Sequence, residues 1–112
     1  MSAIDVCAVA DIPEVGAIQV DVGGTAVAVV RSNGEIYAIL DRCSHADVAL
    51  SEGEVEDGAI ECWLHGSAFD LQTGAALSLP ATEPVPVYQV LLTGSGDSAR
   101  VSIDLNNTIP TR

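Results

Sequence analysis

Turn signals interrupt this chain about every ten residues, a spacing that leaves room for short strands and little else. Gly23-Gly24, Asn33-Gly34, Asp57-Gly58, Thr73-Gly74 and the run Gly94-Ser95-Gly96-Asp97 supply them. Asn33-Gly34 is the strongest, because both residues tolerate the positive φ that a two-residue hairpin turn demands. Between the turns, residues 3–9, 17–22, 25–31, 35–40, 68–71, 87–92 and 100–105 read as strands. Val55 and Ile60 read as core residues of two shorter ones. Within 17–22, Ile18, Val20 and Val22 alternate with Gln19 and Asp21, the period-two pattern of a half-buried strand. Hydrophobic residues make up 48% of the 112 but aromatics only 4%, so the core must be assembled from Val, Ile, Leu and Ala. The β-branched members of that set favour strands. The expectation is one all-β antiparallel domain over 1–105, without helix or repeat, followed by a polar tail, 106–112, that frays.

A segment of different character is set into this framework. Cys43-Ser44-His45 and Cys62-Trp63-Leu64-His65 read as C-x-H and C-x-x-H, and they use both histidines and two of the three cysteines in the chain. Two loops, each offering one thiolate and one imidazole, make a four-ligand metal or cluster site. Zinc accepts such a donor set in a tetrahedral structural site, and iron–sulfur clusters use the same residue types. Common zinc fingers put both cysteines in one element and both histidines in another, whereas here each loop carries one of each. With all four positions filled by protein, no coordination site is open to a substrate. Neither histidine is left to act as a base, and the pattern points to a carrier rather than an enzyme.

The stretch CWLHGSAFDLQTG from Cys62 to Gly74 resembles the second ligand-loop signature of the Rieske [2Fe-2S] family. CSHADVALSEGEVEDGAIEC resembles the first loop, and LPATEPVPVYQV resembles the proline-bearing segment that closes over the cluster. The resemblance spans roughly residues 5–105. It implies one [2Fe-2S] cluster, with Cys43 and Cys62 holding the inner iron and His45 and His65 the outer. It also implies the Rieske fold, an antiparallel β sandwich or barrel base carrying a small cluster-binding subdomain at about 42–82. Pro80, with Pro84 and Pro86, would stiffen the covering loop. Many relatives have proline after the second cysteine. Here it is Trp63, placed either to shield Cys62 or to form part of a docking patch.

The same resemblance bears on redox potential. Two imidazoles in place of two thiolates put the family at about −150 to +300 mV. High-potential members carry an extra cysteine in each loop, at positions that match Val48 and Leu64, so no bridging disulfide is possible here. They also place a serine and a tyrosine beside the cluster sulfurs. Ser67 matches the serine, but Phe69 stands at the tyrosine position without a hydroxyl. A potential near the low end of the range is expected.

Charge narrows the partners. Sixteen acids against four bases give a net charge of −12, which disfavours nucleic acid and anionic membranes and favours a partner with a basic face. The start of the chain lacks the pattern of a secretory signal, and no apolar run approaches the length of a membrane span. A cytoplasmic monomer is expected, with Cys7 a small buried hydrophobe. The resemblance implies a soluble ferredoxin passing electrons from a flavin-dependent reductase to a non-haem iron oxygenase. A Rieske subunit of a larger reductase, a protein linked to iron–sulfur assembly, and a structural zinc module are the alternatives.

Overall fold

Two antiparallel sheets account for the nine strands of the computed structural model, which describes residues 3–42, 48–63, 66–77 and 84–109. The larger sheet holds β1 (Ala3–Ala8), β2 (Gly16–Val22), β3 (Thr25–Ser32), β4 (Glu35–Leu40), β8 (Val87–Thr93) and β9 (Arg100–Ile109) in the order β1-β9-β8-β4-β3-β2. It curls until β1 comes back into contact with β2, forming a half-barrel. The smaller sheet holds β5 (Glu54–Glu56), β6 (Ala59–Glu61) and β7 (Ala68–Asp70) in chain order, inserted between β4 and β8.

The strand framework follows the sequence pattern closely, and the two tight turns explain why. Asn33 and Gly34 both have positive φ, at 54° and 79°, and so do Asp57 and Gly58, at 50° and 81°. Each pair therefore forms the turn whose twist matches its flanking strands. Three short 3-10 turns, Val9–Asp11, Leu50–Glu52 and Gly96–Ser98, were not anticipated. The last strand also outruns its expected end. After a register shift between Tyr88 and Gln89, Thr108 pairs with Tyr88 and Ile109 with Val87, so 106–109 belong to β9 rather than to a frayed tail. Backbone pairing with β8 holds these residues whatever their polarity.

Two apolar cores lie on opposite faces of the large sheet. Val22, Val27, Val29, Ala38, Tyr88, Val101, Ile103, Ile12 and Cys7 fill the inside of the curl. Ala28, Val30, Ile39 and Val87 point the other way and meet Leu50, Ile60, Cys62, Phe69, Leu71 and Val85 from the inserted segment. Strand β3 serves both cores, and Val27, Ala28, Val29 and Val30 are all completely buried. A strand covered on both faces reads as an unbroken apolar run, as this one does.

Candidate metal centre

The second candidate ligand loop connects β6 to β7. Cys62 follows β6, and its N–H donates to the Ser67 carbonyl at 2.6 Å. The Gly66 N–H donates to the Cys62 carbonyl at 2.9 Å, with Gly66 at φ 78°. These two bonds pinch the root of the loop. The chain is buried at Cys62, exposed at Trp63 and Gly66, and buried again at Ser67. The chain therefore leaves the core after Cys62 and is back in it at Ser67. Cys62 is 1% exposed and packs in the core that holds Phe69, Leu71 and Ile60. Trp63 is 52% exposed, which leaves it open to a partner.

The first loop has an equally defined root. It leaves β4 at Asp41 and re-enters the described structure at Val48, which packs against the same core as Cys62. Leu50, fully buried, then plugs that core, and Gly53 follows. A Cβ at Gly53 would collide with the Glu61 carbonyl oxygen, so only glycine lets the incoming chain pass this close to β6. The covering segment is stitched down as it returns. The Val85 N–H donates to the Gly74 carbonyl at 2.9 Å, and the Leu40 N–H to the Pro86 carbonyl at 3.1 Å.

Cys62, Trp63, Ser67 and Phe69 are the candidate residues that the structure places. Cys43, His45, His65 and Pro80 lie outside the described residues, as does Leu64. Ser67 and Phe69 are both fully buried, and Phe69 fills the core directly against Ile60 of the neighbouring strand. Among the described residues neither Cys7 nor Cys62 forms a disulfide. Burial raises the Cys7 thiol above its ordinary value, with the Asp11 carboxylate adding to the effect, and Cys7 is a core residue as expected.

One feature was not read from the sequence. The Asn33 amide donates to the Asp57 carboxylate at 3.3 Å, and the Gly58 N–H donates to the buried Ser32 hydroxyl at 3.0 Å, so the two tight turns touch and join the sheets. The outer face of the small sheet carries four carboxylates, with Ala59 and Ala68 between them. Glu54 sits directly opposite Glu61, Asp70 opposite Ala59, and Glu56 extends the row. Alternation predicts which residues face outward, but the turn-to-turn contact needs the tertiary fold.

The donor chemistry fits a binuclear iron–sulfur centre. A soft sulfur donor sits at the buried root of a loop whose next residue is exposed, and the loop carries a histidine three positions after that cysteine. A family profile for the Rieske [2Fe-2S] domain matches residues 2–89. The 3-phenylpropionate/cinnamic acid dioxygenase ferredoxin subunit of Shigella boydii is 45% identical over 98% of this chain and 100% of its own length. The ferredoxin of carbazole 1,9a-dioxygenase from Nocardioides aromaticivorans superposes with a TM-score of 0.85 at 32% identity, covering 93% of this chain and 98% of that one. A ferredoxin solved in complex with its reduced oxygenase, also of carbazole 1,9a-dioxygenase, superposes with a TM-score of 0.80 at 32% identity over 96% and 95% of the two chains. A buried cysteine at the root of a pinched hairpin, a two-sheet fold and matches along nearly the full chain lead to one assignment: the chain belongs to the Rieske [2Fe-2S] domain family and is of its ferredoxin type.

Proposed function

We propose that this ferredoxin takes single electrons from a flavin-dependent reductase and delivers them to a non-haem iron oxygenase that hydroxylates an aromatic substrate. In this reading Cys43 and Cys62 hold the inner iron, and His45 and His65 hold the outer. The bound cluster supplies a reversible one-electron couple. The protein's own residues keep that couple rigid and reachable. Phe69, Leu71 and Ile60 keep water from the Cys62 side. Trp63 presents an apolar surface beside the loop tip, and the acidic outer face of the small sheet steers a basic partner. Among the described residues, no helix is long and apolar enough to cross a membrane. The proposed setting is the cytoplasm, where the Cys7 thiol stays reduced, and the proposed state is a monomer.

The observation that carries this reading is the change from a 1% exposed Cys62 to a 52% exposed Trp63 in one residue, which seats a sulfur donor in the core directly below a surface a partner can reach. Anaerobic purification should give a coloured protein with two irons and two sulfides per chain and an electron paramagnetic resonance signal that appears on reduction. Electron flow to a purified ring-hydroxylating oxygenase should depend on added ferredoxin. A colourless protein holding zinc alone would refute the proposal. So would a coloured one that no oxygenase oxidises but that purifies in a permanent complex with a larger reductase.

A further inference from the structure

Asp41 is a carboxylate only 4% exposed, and among the described residues every donor it meets is neutral. Its Oδ1 accepts from the Ser51 N–H at 2.6 Å. Its Oδ2 accepts from the Ser51 hydroxyl at 2.6 Å and from the Gln19 side-chain amide at 2.7 Å. Its own N–H donates to the Ala26 carbonyl at 3.0 Å, which continues the β3–β4 ladder past Leu40. The position of these partners gives the arrangement its meaning. Asp41 is where the chain leaves the large sheet, and Ser51 is where it has just returned, one residue after the buried plug Leu50. Gln19 lies two strands away on β2, opposite Ala28. One carboxylate thus ties both ends of the first loop to each other and to the edge strand of the base.

We propose that Asp41 is a positioning residue that fixes the reach of the first ligand loop. The proposal rests on the reading of Cys43 and His45 as ligands, which lie two and four residues beyond Asp41. A loop whose ends are free to separate pays an entropic cost each time its ligands converge on one metal centre, and a clamp at the root removes that cost in advance. A carboxylate suits the task better than an amide. It offers acceptors on both oxygens and no donor, and hydrogen bonds to a charged acceptor are shorter and stronger than neutral ones. Asparagine in its place would keep one acceptor but lose the charge, and would turn the other oxygen into a donor that the Ser51 hydroxyl and the Gln19 amide must reorient to meet.

Three variants of the intact, cluster-loaded protein test the proposal: Asp41→Asn, Ser51→Ala, and the double variant Asp41→Asn/Gln19→Glu. The double variant reverses the bond, so that the new amide donates to a carboxylate from β2. Three readouts are taken: the resonance spectrum of the reduced protein, the rate of cluster bleaching by an iron chelator, and hydrogen exchange at the Ser51 amide. Asp41→Asn should broaden the spectrum, speed bleaching by about tenfold or more, as expected for losing a bond to a charged acceptor, and quicken exchange at the Ser51 amide, whose acceptor is then neutral. Ser51→Ala, which keeps the backbone bond, should fall between Asp41→Asn and the unmodified protein. The double variant should recover most of the loss. An unchanged spectrum and bleaching rate in Asp41→Asn would overturn the proposal. Should Asp41→Asn fail to fold, unchanged values in Ser51→Ala would do the same. Loss of stability without recovery in the double variant would reduce Asp41 to a structural residue and overturn it as well. Absence of any signal from the unmodified protein would instead refute the ligand reading. The Ser51 amide would still report whether the clamp closes the loop.

Discussion

The two sheets reach stability by different routes. Strands β2 and β3 pair along seven consecutive positions, from Gly16 with Arg31 to Val22 with Thr25, and enclose their own apolar interior. Strands β5, β6 and β7 are three residues each, with one apolar face made of Val55, Ile60 and Phe69 and an outer face rich in carboxylates. Three-residue strands with Glu54 facing Glu61 do not persist alone. The small sheet borrows its stability from the large one, by packing on Ala28, Val30, Ile39 and Val87 and through polar ties at Ser32 and Asn33. The part of the molecule with the chemistry is the part least able to fold unaided, and its rigidity is imported.

That contrast can be broken most severely at the shared core. Phe69→Ala should cost about 3–5 kcal/mol and Ile103→Ala, inside the curl, about 2–5 kcal/mol, both read from denaturant unfolding. Only Phe69→Ala should disturb the visible spectrum of the protein that remains folded. An equal disturbance from Ile103→Ala would mean that the two cores act as one. Next, Gly53→Ala should destabilise by about 1–3 kcal/mol, because the new methyl meets the Glu61 backbone rather than a movable side chain. Thermal unfolding followed at the cluster absorption should show the loss.

Smaller effects sharpen the same division. Ser32→Ala leaves the Gly58 N–H without its acceptor and should cost about 1 kcal/mol, with faster hydrogen exchange in the small sheet than in the large. Trp63→Ala should leave stability within about 0.5 kcal/mol yet weaken oxygenase binding by about 1 kcal/mol or more. Leu92→Ala, 53% exposed on the base, should leave binding unchanged, and equal weakening by both would place the docking surface elsewhere. The slightest effect belongs to the exposed pair in which Arg100 donates to Asp5, at 2.6 Å from Nη2 to Oδ1, across β1 and β9. That bond holds the Asp5 carboxyl below its ordinary value of 3.8. A lowered carboxyl adds stability that is full above the unfolded value and fades as pH falls through the folded one. Arg100→Gln should therefore lower the thermal midpoint slightly at neutral pH and not at all near pH 2, with no change at the cluster.

The frame was legible because its signals are local. Asn33-Gly34 and Asp57-Gly58 announce their turns in two residues, and alternation in 17–22 announces a half-buried strand. The run from Val27 to Val30 announces a strand covered on both faces only once the inserted segment is known to pack against it. The end of β9 was missed because Asn106 and Asn107 look like a tail, while β8 supplies pairing partners that composition does not reveal. At the site, Cys62 and Phe69 stood out from the motif, and both are buried. Asp41 did not, because a buried aspartate and a solvated one look alike until Gln19 and Ser51 arrive from elsewhere in the chain.

Between Val27 and Val30 strand β3 has no wet side, and this sets a rule for the whole molecule. A change of volume at Val27 or Val29 presses on the same backbone that carries Ala28 and Val30 into the opposite chamber. The floor under the electron-carrying loop is thus a party wall, and its dimensions are negotiated from a room that never meets iron.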